Sequence, residues 1–218
     1  MRSIPESDMA TTDGLDNPAV SRSSELEDFI LWNAQQFAFP PSEWEAKTFA
    51  EVLLLPRVEV TRPPKHDLLA VGMVPHDCHA NCAAQEANDP DGESRHVWGW
   101  LINGSDLILH SVVEIRGQWL CMTPQHREGP ARFNFIPDAA IEWRNADNGK
   151  EPFRGGVQVP QGLRSDPEQH VRMWERFRDL VASGMPVAEA RQLVDDTLGA
   201  ELRQMSQLIP VSGDCSIR

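Results

Sequence analysis

The chain has 218 residues, 40% of them hydrophobic and 24% charged, with a formal net charge of -13. That length suits one domain with a real core, and the composition excludes a largely disordered or collagen-like chain. The 17 prolines exclude a long coiled coil, and the acidic field repels phosphate backbones, so neither nucleic acid nor an anionic membrane surface is an expected partner.

Residues 1–23 are rich in Ser, Asp, Thr and Pro and read as a mobile tail without a secretory signal. Ser24 with Glu27 is a capping-box pattern, and Leu26, Phe29, Ile30, Asn33 and Phe37 follow at helical spacing, so a helix is expected over about 25–37. Pro40-Pro41 ends it, and Ser42 with Glu45 opens a second helix to about Leu54. Val58 and Val60 alternate with charges as a short strand does. The longest apolar run, 68–74, is too short to span a bilayer. A cytoplasmic location is therefore expected, with the four cysteines as thiols or ligands rather than disulfides.

The segments 96–102 and 107–115 are apolar and rich in β-branched or aromatic residues, with Asn103-Gly104 as a turn between them. Arg116-Gly117 offers a second two-residue turn into 118–122, and 133–136 and 141–143 add short strands. These segments predict an antiparallel meander of about three to five strands. The polar, Gly- and Pro-rich segment 144–164 reads as a linker or loop. Ser165 or Asp166 then caps a helix with Pro167 near its first position and a Val171, Trp174, Phe177 and Val181 stripe, and Gly184 stops it. Pro186 opens another, striped by Val187, Ala190, Val194, Leu198, Leu202 and Met205. The expected organisation is a tail (1–23), an α+β core (24–143), a linker (144–164), a helical hairpin (165–209) and a tail (210–218). The hairpin's stripe is expected to face the sheet or a second copy of the chain, which would make a homodimer.

The densest group of reactive side chains is His76-Asp77-Cys78-His79-Ala80-Asn81-Cys82. Asp77 is a good N-cap for a helix over the following residues, which puts Cys78 in the first turn. Unpaired backbone N–H groups and the helix dipole stabilise an anion there, as a cysteine nucleophile requires. His110 is the candidate base. If Arg116-Gly117 is a two-residue turn, His110 and Cys121 share a face as diagonal neighbours, roughly 7–8 Å apart between Cα atoms. The rival arrangement is zinc held by Cys78, Cys82, His79 and His110, with C-x₃-C spacing rather than two close pairs. Trp98, Trp100 and Trp119 are expected in the core or on the sheet surface, and Cys215 falls in a polar tail. Phosphate-binding, dinucleotide-binding, zinc-protease and serine-hydrolase signatures are absent.

Cysteine at a helix start, histidine on a strand and an acid or amide on the next strand resembles the papain-like and transglutaminase-like hydrolases. More narrowly, Cys78-His79-Ala80-Asn81, Gly99-Trp100, His110-Ser111-Val112, Thr123-Pro124 and Phe135-Ile136-Pro137-Asp138 resemble a little-characterised bacterial group over about residues 74–140. That group carries C-H-x-N, G-W, a histidine strand, D-x-T-P and F-x-P-D. The acid of D-x-T-P falls on Cys121 here, a residue that holds an imidazolium less well.

The expected fold is therefore α+β, an antiparallel sheet against the Cys78 helix. The leading expectation is a cysteine-dependent hydrolase or acyl transferase acting on an amide or thioester of a small-molecule or peptide substrate, without a cofactor. Cys78 attacks, His110 moves the proton, Asn81 helps at the oxyanion and Asp138 orients the histidine. The alternative is a non-catalytic binding or regulatory module whose Cys/His cluster binds zinc or only packs.

Overall fold

The computed structural model describes residues 18–125, 129–146 and 149–206. Helix α1 (Pro18–Gln36) begins earlier than the caps imply, so residues 18–23 belong to a helix rather than to a tail. Pro18 suits the first position, where a missing N–H costs nothing. Helix α2 (Glu43–Leu53) starts as expected, with Ser42 Oγ accepting from Glu45 N at 3.1 Å. Strand β1 (Val58–Thr61) follows, then α3 (Lys65–Ala70), a short helix the sequence pattern did not reveal. Helix α4 (Cys78–Ala87) has Asp77 as its N-cap, with Oδ1 accepting from Ala80 N at 3.2 Å.

Strands β2 (Ser94–Asn103) and β3 (Asp106–Ile115) form a long hairpin. Strand β4 (Gln118–Leu120) returns through Arg116 (φ 50°) and Gly117 (φ 80°), with Ile115 opposite Gln118. Both turn residues are left-handed, the geometry a two-residue hairpin turn needs. The chain is not a simple meander. After Leu120 it leaves β3 and runs parallel to β1, with Thr61 opposite Leu120. Strand β5 (Arg132–Pro137) is antiparallel to β1 and also pairs with β2. The order β2-β5-β1-β4-β3 closes through the β2–β3 pairing, so five strands form a small closed barrel.

The expected linker is mostly sheet. Strand β6 (Ile141–Ala146) pairs with β7 (Gly149–Arg154), and β7 with β8 (Val157–Gln158). The turn into β8 is Gly155-Gly156, both at positive φ. Strand β9 (Gly162–Leu163) extends the barrel at β3. The start of β6 is legible from Ile141 and Trp143, but β7 to β9 are too short or too polar to show a period-two pattern.

In helix α5 (Pro167–Ala182) the cap is Asp166, of the two residues the sequence offered, and Gly184 ends the helix at φ 94°. The last expected helix is two, α6 (Val187–Asp196) and α7 (Leu198–Ser206). The break is at Thr197, whose backbone (φ -98°, ψ -85°) turns out of the helical region, while its N–H still reaches Leu193 O at 3.1 Å and its Oγ1 donates to the same oxygen at 2.6 Å. The hairpin is not a separate unit. Ile30, Leu31 and Ala34 of α1 pack on Met173, Phe177, Leu180, Ala190 and Val194, so the stripe offered to a second copy is covered within the chain. Residues 210–218, with Cys215, lie outside the described residues.

Side-chain alternation divides the barrel. Val58, Val60, Val97, Val112, Trp119, Cys121, Phe133 and Phe135 fill its interior. Outside, Trp100, Leu107, Leu109 and Ile136 pack with Val52 of α2. Val113 packs with Leu68 of α3 and Cys82 of α4. Among the described residues, no helix is long and apolar enough to cross a membrane.

Candidate functional site

Cys78 is the first residue of α4, as the capping pattern implies. The helix start sits against the edge of β3. That edge is paired with β9 at residues 107–108 and with β4 at 113–115. In the gap between them the Ser111 backbone N–H acts on the Cys78 thiol. Burial nevertheless dominates and pushes the thiol up to about 12, with the nearby Cys121 adding to it. Cys82, one turn on and fully buried, is raised as well, again chiefly by burial. At neutral pH the Cys78 thiol is protonated.

His110 is buried and points into the barrel, edge-on to Phe133 and Phe135 at 6.1 and 6.4 Å. Its Nε2 lies 3.4 Å from Cys121 Sγ. The two-residue turn thus brings His110 to Cys121, as the register implies. No hydrogen bond joins His110 to Cys78 among the described residues. Burial pushes the imidazole down to about 3, with His79 and the Arg62 guanidinium acting in the same direction. It is neutral at pH 7.

Two further histidines, His79 and His96, lie on the outer face, against Ser111. His79 Nδ1 is 2.6 Å and His96 Nε2 2.8 Å from Ser111 Oγ. One hydroxyl proton serves only one of these nitrogens, so at least one ring turns an N–H toward the oxygen. Trp98 stacks near both rings, at 5.0 and 3.6 Å, and Trp143 lies 4.8 Å from His79. Burial pushes both histidines down to about 4.

The remaining expected site residues are fastened elsewhere. Asn81 holds the loop before α4, its Oδ1 accepting from Val74 N at 2.8 Å and its Nδ2 donating to Val74 O at 2.7 Å. That occupies the amide expected at the oxyanion. Asp138 accepts from Trp100 Nε1 and Arg154 Nε, both at 2.9 Å, rather than orienting His110. It ties β2 and β5 to the second sheet. No group of three or more His, Cys, Asp or Glu side chains among the described residues is placed to hold a metal ion, the expected zinc set included. Cys78, Cys82 and Cys121 are free thiols.

Two polar residues at one end of the barrel escaped the sequence reading as site residues. Arg62 continues the inward series Val58, Val60 just past β1, and Thr123 continues Trp119, Cys121 just past β4. A charge in the third inward place of a strand was the available signal. Comparison of the chain with protein-family models, curated proteins and solved structures returned no match.

Proposed function

We propose that the chain is a non-catalytic binding or regulatory module whose Cys/His cluster is structural. The observation that carries this reading is the partner of His110. The imidazole sits inside the barrel against Cys121, while Cys78 meets a backbone N–H at the strand edge. A cysteine nucleophile needs a thiolate stabilised by a cation or a base in contact, and a protonated Cys78 without a bond to a neutral His110 supplies neither. The lack of a three-ligand group among the described residues favours packing over zinc. Three free thiols fit a reducing compartment and support a cytoplasmic location.

The hydrolase or acyl-transferase reading has its own support. Cys78 stands at a helix start, and Cys121, in the place of the orienting acid of the resembling group, touches the histidine. Alkylation of the folded protein with iodoacetamide across pH, followed by peptide mapping, separates the two. The module reading expects Cys78 to react more slowly than a free thiol at pH 7–8, unchanged by His110→Ala. A fast Cys78 with an apparent pKa near 7 or below, rising in His110→Ala, overturns it.

A further inference from the structure

Among the described residues, three buried side-chain polar atoms have no hydrogen-bond partner: Arg62 Nε, Thr123 Oγ1 and Trp143 Nε1. Two of them share one end of the barrel. Strands β1 and β4 run parallel, with Thr61 opposite Leu120, so both finish at the same end. Continuing that register places Arg62 beside Cys121, with Thr123 two residues further along the same inward row. Strand β5, antiparallel to β1, begins there, and Val60 faces Phe133.

Arg62 is held firmly. Its backbone N donates to Ala131 O at 2.7 Å and its Nη1 to Pro130 O at 3.2 Å. The guanidinium carbon lies 4.8 Å from the centre of the Phe133 ring. A Cβ at Gly129 would stand 2.7 Å from Nη1, so the loop closes directly on the guanidinium. With Nη1 used, Nε and Nη2 form the remaining planar edge, the fork that matches two carboxylate oxygens. No carboxylate among the described residues forms an ion pair with Arg62. Thr123 is 2% exposed, and its hydroxyl is a buried donor without an acceptor. Arg62 as a whole is half-buried, so what lacks a partner is its buried Nε–H, together with the Thr123 hydroxyl; leaving both unmade costs stability, and one bound group recovers both.

We propose that this end of the barrel binds the carboxylate of a small monocarboxylate, paired with the Arg62 Nε/Nη2 edge and accepting from Thr123 Oγ1. Charge selects the class. Arg62 is the one guanidinium of this row, the histidine beside it is neutral, and the chain carries -13, so a single negative charge is matched and a phosphate dianion is not. The proposal rests on the binding-module reading and gives that module its ligand chemistry.

The test is a titration of the full chain with sodium acetate at constant ionic strength, following the Arg62 Nε–H resonance in ¹H–¹⁵N spectra, with sodium chloride and inorganic phosphate as comparisons. The expected result is a saturable shift with acetate of both the Arg62 Nε–H and the residue 123 backbone amide, about tenfold weaker binding in Thr123→Val, and loss of the residue 123 amide shift in Arg62→Gln, which no longer carries the Nε–H. Thr123→Val preserves shape, so the test does not depend on the arginine variant folding. An equal shift with chloride, tighter binding of phosphate, or a Thr123→Val variant that binds acetate as well as the parent overturns the proposal. Cys78 alkylation on the same samples keeps the two readings apart. A slow Cys78 with no acetate shift removes this site and leaves the module. A fast, low-pKa Cys78 removes the module, and the acetate shift then decides the site on its own.

Discussion

At the scale of single residues, the most consequential pair joins α2 to the segment between β9 and α5. Arg164 Nε and Nη2 donate to Glu45 Oε1 and Oε2 at 2.8 and 2.7 Å, and neither side chain is exposed to solvent. The Arg164 backbone N also donates to Glu45 Oε1, and Nη1 donates to Phe37 O and Phe39 O. Four of the five guanidinium N–H groups thus have an oxygen acceptor, which is what makes a buried ion pair tolerable. Removing one partner leaves the other charged and buried. Glu45→Gln is therefore expected to cost about 3–5 kcal/mol in urea unfolding at pH 7, while Glu43→Gln, exposed on the same helix, leaves the midpoint unchanged. A loss below about 1 kcal/mol would mean the pair is solvated as surface pairs are. Ser42 and Glu45 were legible as a helix start, and Ser42 does cap. The carboxylate's true partner was not legible, because it lies 119 residues away and only the closed fold brings it near.

At the scale of elements, the barrel depends on how closely β2 and β5 approach. A Cβ at Gly99 would lie 2.1 Å from Ile136 O and 2.7 Å from the Phe135 ring. No side chain fits without moving one strand, and β5 is held by β1 on its other edge. Gly99→Ala is expected to destabilise the protein by at least about 1–3 kcal/mol, with loss of near-ultraviolet circular dichroism at lower urea. An unchanged midpoint would show that β5 can shift. Local chemistry was enough to read the β3–β4 turn and the Asp77, Ser42 and Asp166 caps, since each is decided within a few residues. It was not enough for β7 to β9, whose pairing is decided by neighbours rather than by their own pattern.

At the scale of the whole molecule, burial makes stability depend on pH. His79 and His96 are pushed to about 4 and His110 to about 3, against an ordinary value of 6.5. The unfolded chain takes up protons as pH falls through about 6.5, and the folded chain does not until far lower. Their contribution is therefore complete above that value and is lost as pH falls from 6.5 toward 4. A fully buried histidine contributes up to about 1.4 kcal/mol per pH unit in that window, and the more exposed His96 less. Urea midpoints are expected to fall between pH 6.5 and 5, chiefly through these histidines. His110→Gln is expected to flatten that fall. An equal slope in His110→Gln would mean the imidazole titrates normally in the folded state.

The sequence by itself determined the α+β class, the positions of most helices, the hairpin register that sets His110 beside Cys121, and Cys78 at a helix start. Each follows from caps, turn residues and side-chain alternation, which act over a few positions. The tertiary structure alone decided that the strands close into a barrel, that α1 covers the C-terminal helices, and that Asn81 and Asp138 are fastened away from His110. It also decided that the thiol and imidazole sit in surroundings that hold them uncharged. Ring closure and desolvation are set by residues far apart in the chain, so spacing along the sequence carries no measure of either.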